Sequence, residues 1–236
     1  SLQAGDAVGA ALIQGDLTMA GTGTVTMVEG NRVYAFGHPF YNLGPINFPM
    51  TKASVTALLP SLAISSKIAA IGEVIGTLDQ DRSTGIFGTL GTAPDVLPVT
   101  VRLRGPDRDF DHTFKFEIIR DNILTPLLVY SGALSTFLSS SRQLGAATYT
   151  LSSKTRIRGH DTVAFTDSYS GNTAVSDAAA AIANPLSILL NNTIAAVEIE
   201  RIEIDVTTIE APLTAAIERI WIDTPRIRPG STVNLH

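Results

Sequence analysis

Period-two alternation of apolar and polar side chains, cut into short runs by glycine, fills the first half of the chain and returns near its end. Successive side chains of a strand point to opposite faces, so such runs fold as strands with one face on a core and the other on solvent. Val99, Val101 and Leu103 alternate with Thr100, Arg102 and Arg104, and Phe114, Phe116 and Ile118 with Lys115 and Glu117. Gly105-Pro106-Asp107 between them reads as a turn. Upstream, Ala7 to Ile13, Thr22 to Val28 and Arg32 to Phe36 read as strands, the last two forming a hairpin across Glu29-Gly30-Asn31. Val197, Ile199, Ile202, Ile204 and Val206 alternate with one extra residue at Glu200-Arg201. That spacing predicts a bulged strand with one wet, charged face.

Helical spacing occurs twice. Leu124, Leu127, Leu128, Leu134, Phe137 and Leu138 follow a cap and first-turn proline at Thr125-Pro126. Ser176-Asp177 opens an alanine-rich run to Ala183, after which Pro185 either ends the helix or starts a second one. The fold class expected is α+β with strands dominant: a β-barrel region over residues 1–120, then a helix-containing β extension over 121–227. Arg228-Pro229-Gly230-Ser231 and Thr232-Val233 read as the start of a following strand or domain over 228–236, so the chain is expected to be a piece of something longer.

Composition removes several function classes. With 44 % apolar and 17 % charged residues among 236, the chain can bury a core of its own. Its net charge of −5 is made of interspersed acids and bases, with no basic stripe to meet a phosphate backbone, so no nucleic-acid partner is expected. The absence of cysteine excludes disulfides, thiolate zinc sites and a cysteine nucleophile. Asn184, Pro185, Asn191 and Asn192 interrupt the most apolar window, Ala178 to Val197, so no membrane span is expected. Ser1 to Ala10 lacks the basic start and apolar run of a signal peptide.

Thr22-Gly23-Thr24-Val25-Thr26 followed by Ala35-Phe36-Gly37-His38 resembles the strand-turn-strand that delivers the catalytic histidine in SpoIVB-type serine peptidases. Lys52-Ala53-Ser54-Val55-Thr56, Ile75-Gly76-Thr77-Leu78, Gly85-Ile86-Phe87-Gly88-Thr89-Leu90, Leu97-Pro98-Val99 and the Phe114 to Ile119 strand resemble the same family in the same order. The resemblance covers roughly residues 20 to 120 and implies a strand-dominated fold related to the trypsin-like β-barrel. It implies a serine endopeptidase of a bacterium, exported to the periplasm or exterior, that acts on a peptide or protein without a cofactor or metal. Sporulation-type members carry Gly-Met-Ser-Gly-Ser-Pro, whose first serine is the nucleophile, and this chain has no such motif. The chain also resembles larger bacterial proteins in which the serine motif precedes segments like Gly15-Asp16-Leu17 and Gly37-His38-Pro39-Phe40, and a strand-rich domain follows a Pro-Gly like Pro229-Gly230. That arrangement implies the middle of a permuted peptidase, inactive by itself.

In such an enzyme an imidazole takes the serine's proton while a carboxylate orients the ring. The resemblance makes His38 the candidate base, held at the rim of a barrel by Gly37 and Pro39. Without it, Gly-His-Pro is a tight turn whose imidazole caps a carbonyl. Asp121, beyond the Phe114 strand, and Asp81, beside Arg82, are the candidate acids, although an Asp-Arg neighbour pair is commonly a surface ion pair. Ser83 reads as a turn hydroxyl and Ser131 as a helical one. Asp107, Asp109 and Asp111 alternate like calcium ligands, but His112 and Ile118 stand where an EF-hand needs glycine and glutamate. His112 and His160 read as surface residues. Gly15, Gly21 and Gly23 lack the lysine and helix of a phosphate loop and are assigned to turns and close strand packing. The competing function is a non-catalytic structural or self-assembling β-domain of the bacterial envelope or exterior, with a second copy of the chain as partner.

Overall fold

The structure, a computed structural model, describes residues 2–62, 66–105, 111–140, 145–224 and 226–236. The first six strands are β1 (Ala7–Gly15), β2 (Met19–Glu29), β3 (Arg32–Ala35), β4 (Gly44–Leu59), β5 (Ser66–Arg82) and β6 (Gly85–Leu90). Their pairings run β1-β2-β3-β6-β5-β4 and return to β1 through Val8–Lys52, Gly9–Thr51 and Ala10–Met50, closing a ring. Because β1 is flanked by β2, β4 and a further strand, every residue from Val8 to Leu12 is buried. Its small side chains, Gly9, Ala10 and Ala11, suit that crowding: a Cβ on Gly9 would lie 2.2 Å from Thr51 Oγ1.

Beyond the ring the sheet continues through β8 (Asp111–Ile119), β7 (Val96–Arg104), β11 (Ile199–Ile209), β9 (Ala147–Ile157) and the edge strand β10 (Val163–Gly171). The hairpin β2–β3 and the two strands β7 and β8 therefore share one sheet and one hydrophobic core, but not one ring. The reason lies in β1, whose flank at Val8–Ala10 is taken by β4, leaving only Ile13–Gly15 to pair with β8. The closed ring holds β1 to β6, and β7 and β8 continue its sheet and its core. Pro106, Asp107 and Asp109 of the expected β7–β8 turn lie outside the described residues, and Asp111 pairs with Arg104 at 3.8 Å.

Val25, Val99, Val101 and Phe116 are buried as the alternation requires, and Phe114 is half-buried. Met27, two residues beyond Val25 and so on the same face by simple alternation, is 48 % exposed. A register shift between Val25 and Met27 in the β2–β3 pairing turns the following side chains over, which a count of alternate positions cannot reveal. The bulge in β11 falls between Ile199 and Arg201, at the extra residue in the sequence.

The helices α1 (Leu124–Ser140) and α2 (Ala174–Leu190) pack on each other, α1 against β7 and β8 and α2 against β9 and β10. Ala174, Ala178, Ala179, Ile182, Ala183 and Leu186 make the buried stripe of α2. Pro185 neither ends α2 nor starts a new helix but lies inside it. The cost of its missing N–H is borne by a helix whose next residue, Leu186, is fully packed. At the C-terminal end, Thr232-Val233 forms no strand. The segment pairs with itself instead: Ile222 bridges Leu235, and Trp221 and His236 exchange two main-chain hydrogen bonds with their rings stacked at 5.5 Å. Among the described residues no helix is long and apolar enough to cross a membrane.

Candidate functional site

β3 ends at Ala35 because Phe36 leaves the extended region, with φ of 72°. Gly37 N donates to Ala35 O at 3.0 Å, an i→i+2 bond around a central residue of positive φ, which is the rarer and more strained form of γ-turn. A bulky residue tolerates that φ only when its surroundings hold it there. Phe36 N donates to Thr24 O at 2.9 Å, and the ring lies across β2 at Gly23, where a Cβ would come within 2.4 Å of it. Phe40 lies likewise over Gly21, also at 2.4 Å. The glycines at Gly21 and Gly23 thus serve close packing, and their spacing matches that of the two rings.

His38 sits between these anchors and is exposed. Its ring meets Phe36 edge-on at 5.9 Å, and Nδ1 lies 2.8 Å from Pro39 O. A carbonyl oxygen only accepts, so this bond requires the proton on Nδ1 and leaves the Nε2 lone pair of the neutral ring free.

Asp81 is fully buried at the end of β5. One carboxylate oxygen accepts from Phe40 N at 2.8 Å, and the other from Tyr41 N at 2.7 Å and Leu43 N at 3.3 Å. It is not the exposed ion-pair partner of its neighbour: Arg82 Nε donates to Gln80 Oε1 at 2.9 Å. Nor does it bond the imidazole. It fastens the loop that follows His38, and three amides aimed at one carboxylate give this buried charge the solvation it would otherwise lack.

Asp121 is placed elsewhere. Its Oδ1 accepts from Ile123 N at 2.8 Å and Leu124 N at 2.7 Å, capping α1, while Thr125 Oγ1 accepts from Asp121 N at 2.9 Å and donates to Ile119 O at 2.9 Å. The cap expected from Thr125 is therefore shared, with Asp121 supplying the acceptor for the first helical amides. Ser131 lies within α1, where the adjacent Gly132 lets the helix approach the Phe116 ring, 2.9 Å from the position of a Cβ. Ser83 is exposed in the β5–β6 turn. Neither serine shares a hydrogen bond with His38. The structure brings Asp81 to the His38 loop, and the imidazole bonds none of Asp81, Asp121, Ser83 and Ser131.

His160 and Asp161 line an open polar cleft with Arg156 and Glu200 near the β9–β10 turn, and His112 is exposed on β8. Among the described residues no group of three or more His, Asp or Glu side chains is arranged to hold a metal ion. Phe36, Phe40 and the Asp81 clamp are the site features that residue-by-residue reading missed. The signal was present as two glycines two positions apart on β2 and two phenylalanines four positions apart after β3.

Comparison with family models, with curated proteins and with solved structures finds no match to this chain, so none of them supports the resemblance to SpoIVB-type peptidases.

Proposed function

We propose that this chain is the histidine-bearing part of a SpoIVB-type serine endopeptidase domain of an exported bacterial protein, with the six-strand ring as a barrel of the trypsin-like kind. The observation that carries the reading is His38: an exposed imidazole whose Nδ1 is committed to Pro39 O, on a strained turn fastened by a buried carboxylate. In a serine peptidase Nε2 takes the hydroxyl proton as the oxygen attacks the scissile carbonyl, then returns it to the leaving amine. Here the Pro39 carbonyl does the orienting that a triad assigns to an aspartate, and Asp81 acts one step removed, as a positioning residue. The nucleophile belongs to a Gly-Met-Ser-Gly-Ser-Pro segment supplied from outside this sequence.

The chain alone is expected to leave an unfolded protein substrate uncut. Mixed with a polypeptide carrying the serine segment, it is expected to cut that substrate, and His38→Ala is expected to abolish cutting while leaving the fold intact. Cutting that survives His38→Ala defeats the proposal.

A second reading, a non-catalytic self-assembling β-domain, is favoured by the far half of the β4–β5 hairpin. There Leu58 on one face and Leu59 and Ile68 on the other are 66 %, 53 % and 49 % exposed, which leaves apolar side chains on both sides of the hairpin. Sedimentation of wild type and Leu58→Glu separates the two: a wild-type oligomer dissolved by the substitution supports assembly, and a monomer in both cases removes it.

A further inference from the structure

A cleft of about 270 Å³ opens between the end of β3 and the β5–β6 turn. Gly37 lines it, so the cleft reaches within one residue of His38. Tyr34 and Phe87, with ring centroids 5.3 Å apart, supply aromatic lining. Gln80 and Arg82 supply the polar part. Arg82 Nε donates to Gln80 Oε1, a neutral amide, which orients the guanidinium without neutralising it. Arg102, Arg104, Arg120, Arg156 and Arg158 each sit within 4 Å of a carboxylate. Arg82 takes part in no ion pair among the described residues. A pre-oriented, unneutralised guanidinium presents a fork of donors suited to two carboxylate oxygens at once.

We propose that this cleft is a subsite for an acidic side chain of a peptide laid across His38, with Arg82 pairing the carboxylate and the Tyr34 and Phe87 rings covering the side chain's methylenes. The inference rests on the reading of His38 as a peptidase base and adds the substrate class. Gly85 keeps the space open beside Gly37: it has φ of 145°, and a Cβ there would lie 3.0 Å from Ala35 O and 3.4 Å from Gly37 N.

The test uses three acetylated pentapeptides: Ala-Ala-Glu-Ala-Ala amide, its glutamine counterpart, and the glutamine peptide with a free C-terminal carboxylate. Binding is read from the amide signals of Gly37 and Gly85 and the Nε–H signal of Arg82. The glutamate amide is expected to bind about fivefold tighter than the glutamine amide, the scale of one solvent-accessible charge pair. That advantage should vanish in Arg82→Gln, persist in part in Arg82→Lys and survive His38→Ala. Equal binding of the two amides overturns the subsite. The advantage appearing only for the free-carboxylate peptide overturns the side-chain assignment in favour of a chain terminus. If hydrolysis by the mixture with the serine segment ignores His38→Ala while the glutamate preference stands, the base reading fails and the subsite does not.

Discussion

Phe36, at φ of 72°, holds a backbone conformation that costs a bulky residue about 1–3 kcal/mol, and three contacts keep it there: Thr24 O, the flat backbone of Gly23, and the loop beyond, fastened to Asp81. Asp81 is the member whose removal is cleanest to read. Asp81→Ala leaves three loop amides without their buried acceptor, and we expect a loss of about 3 kcal/mol in urea unfolding with faster amide exchange at Phe40, Tyr41 and Leu43. Asp81→Asn, which keeps one acceptor oxygen, should lose less. An unchanged unfolding midpoint in Asp81→Ala would show that the clamp does not hold the loop. Sequence reading named His38 as a candidate base and Asp81 as a candidate acid, but not the bond pattern between Asp81 and the loop. The amides that Asp81 accepts from lie 38 to 41 residues away, beyond any local spacing rule.

The strands were legible because alternation reports which face a residue occupies, and the hairpin turn at Gly30-Asn31 was legible because Gly30 supplies a positive φ, 61°. Which strands close on which was not, since the β1–β4 contact joins Val8–Ala10 to residues 50–52. Along β2 the two glycines support the His38 loop, so Gly23→Ala should place a methyl against the Phe36 ring. We expect a stability loss of about 1–3 kcal/mol by thermal unfolding and displaced signals at Phe36 and His38; unperturbed signals would disprove the support. At the opposite end of the sheet, Tyr169 on β10 is pushed up to about 12, first by burial and then by donating to Asp167 Oδ2 at 2.9 Å. A phenol whose folded pKa is raised contributes stability that is fully present below its ordinary value, about 10, and is lost as pH rises through about 12. Tyrosinate absorbance should therefore show one tyrosine titrating late, and Asp167→Asn should bring it earlier. A late titration unaffected by Asp167→Asn would leave burial and the charge of Asp177 as its causes.

For the whole molecule, the ring of β1 to β6 and the sheet carrying both helices form one hydrophobic core, and among the described residues no serine hydroxyl is bonded to His38. On the function proposed above, the nucleophile comes from a partner segment, and the chain by itself supplies a base without a nucleophile. Labelling with a serine-directed fluorophosphonate, followed by mapping of the modified residue, tests this most directly. The account predicts no labelled serine in the isolated chain, stoichiometric labelling of the first serine of an added Gly-Met-Ser-Gly-Ser-Pro segment, and loss of that label in His38→Ala. Stoichiometric labelling of Ser83, Ser131 or any other serine in the isolated chain would contradict it.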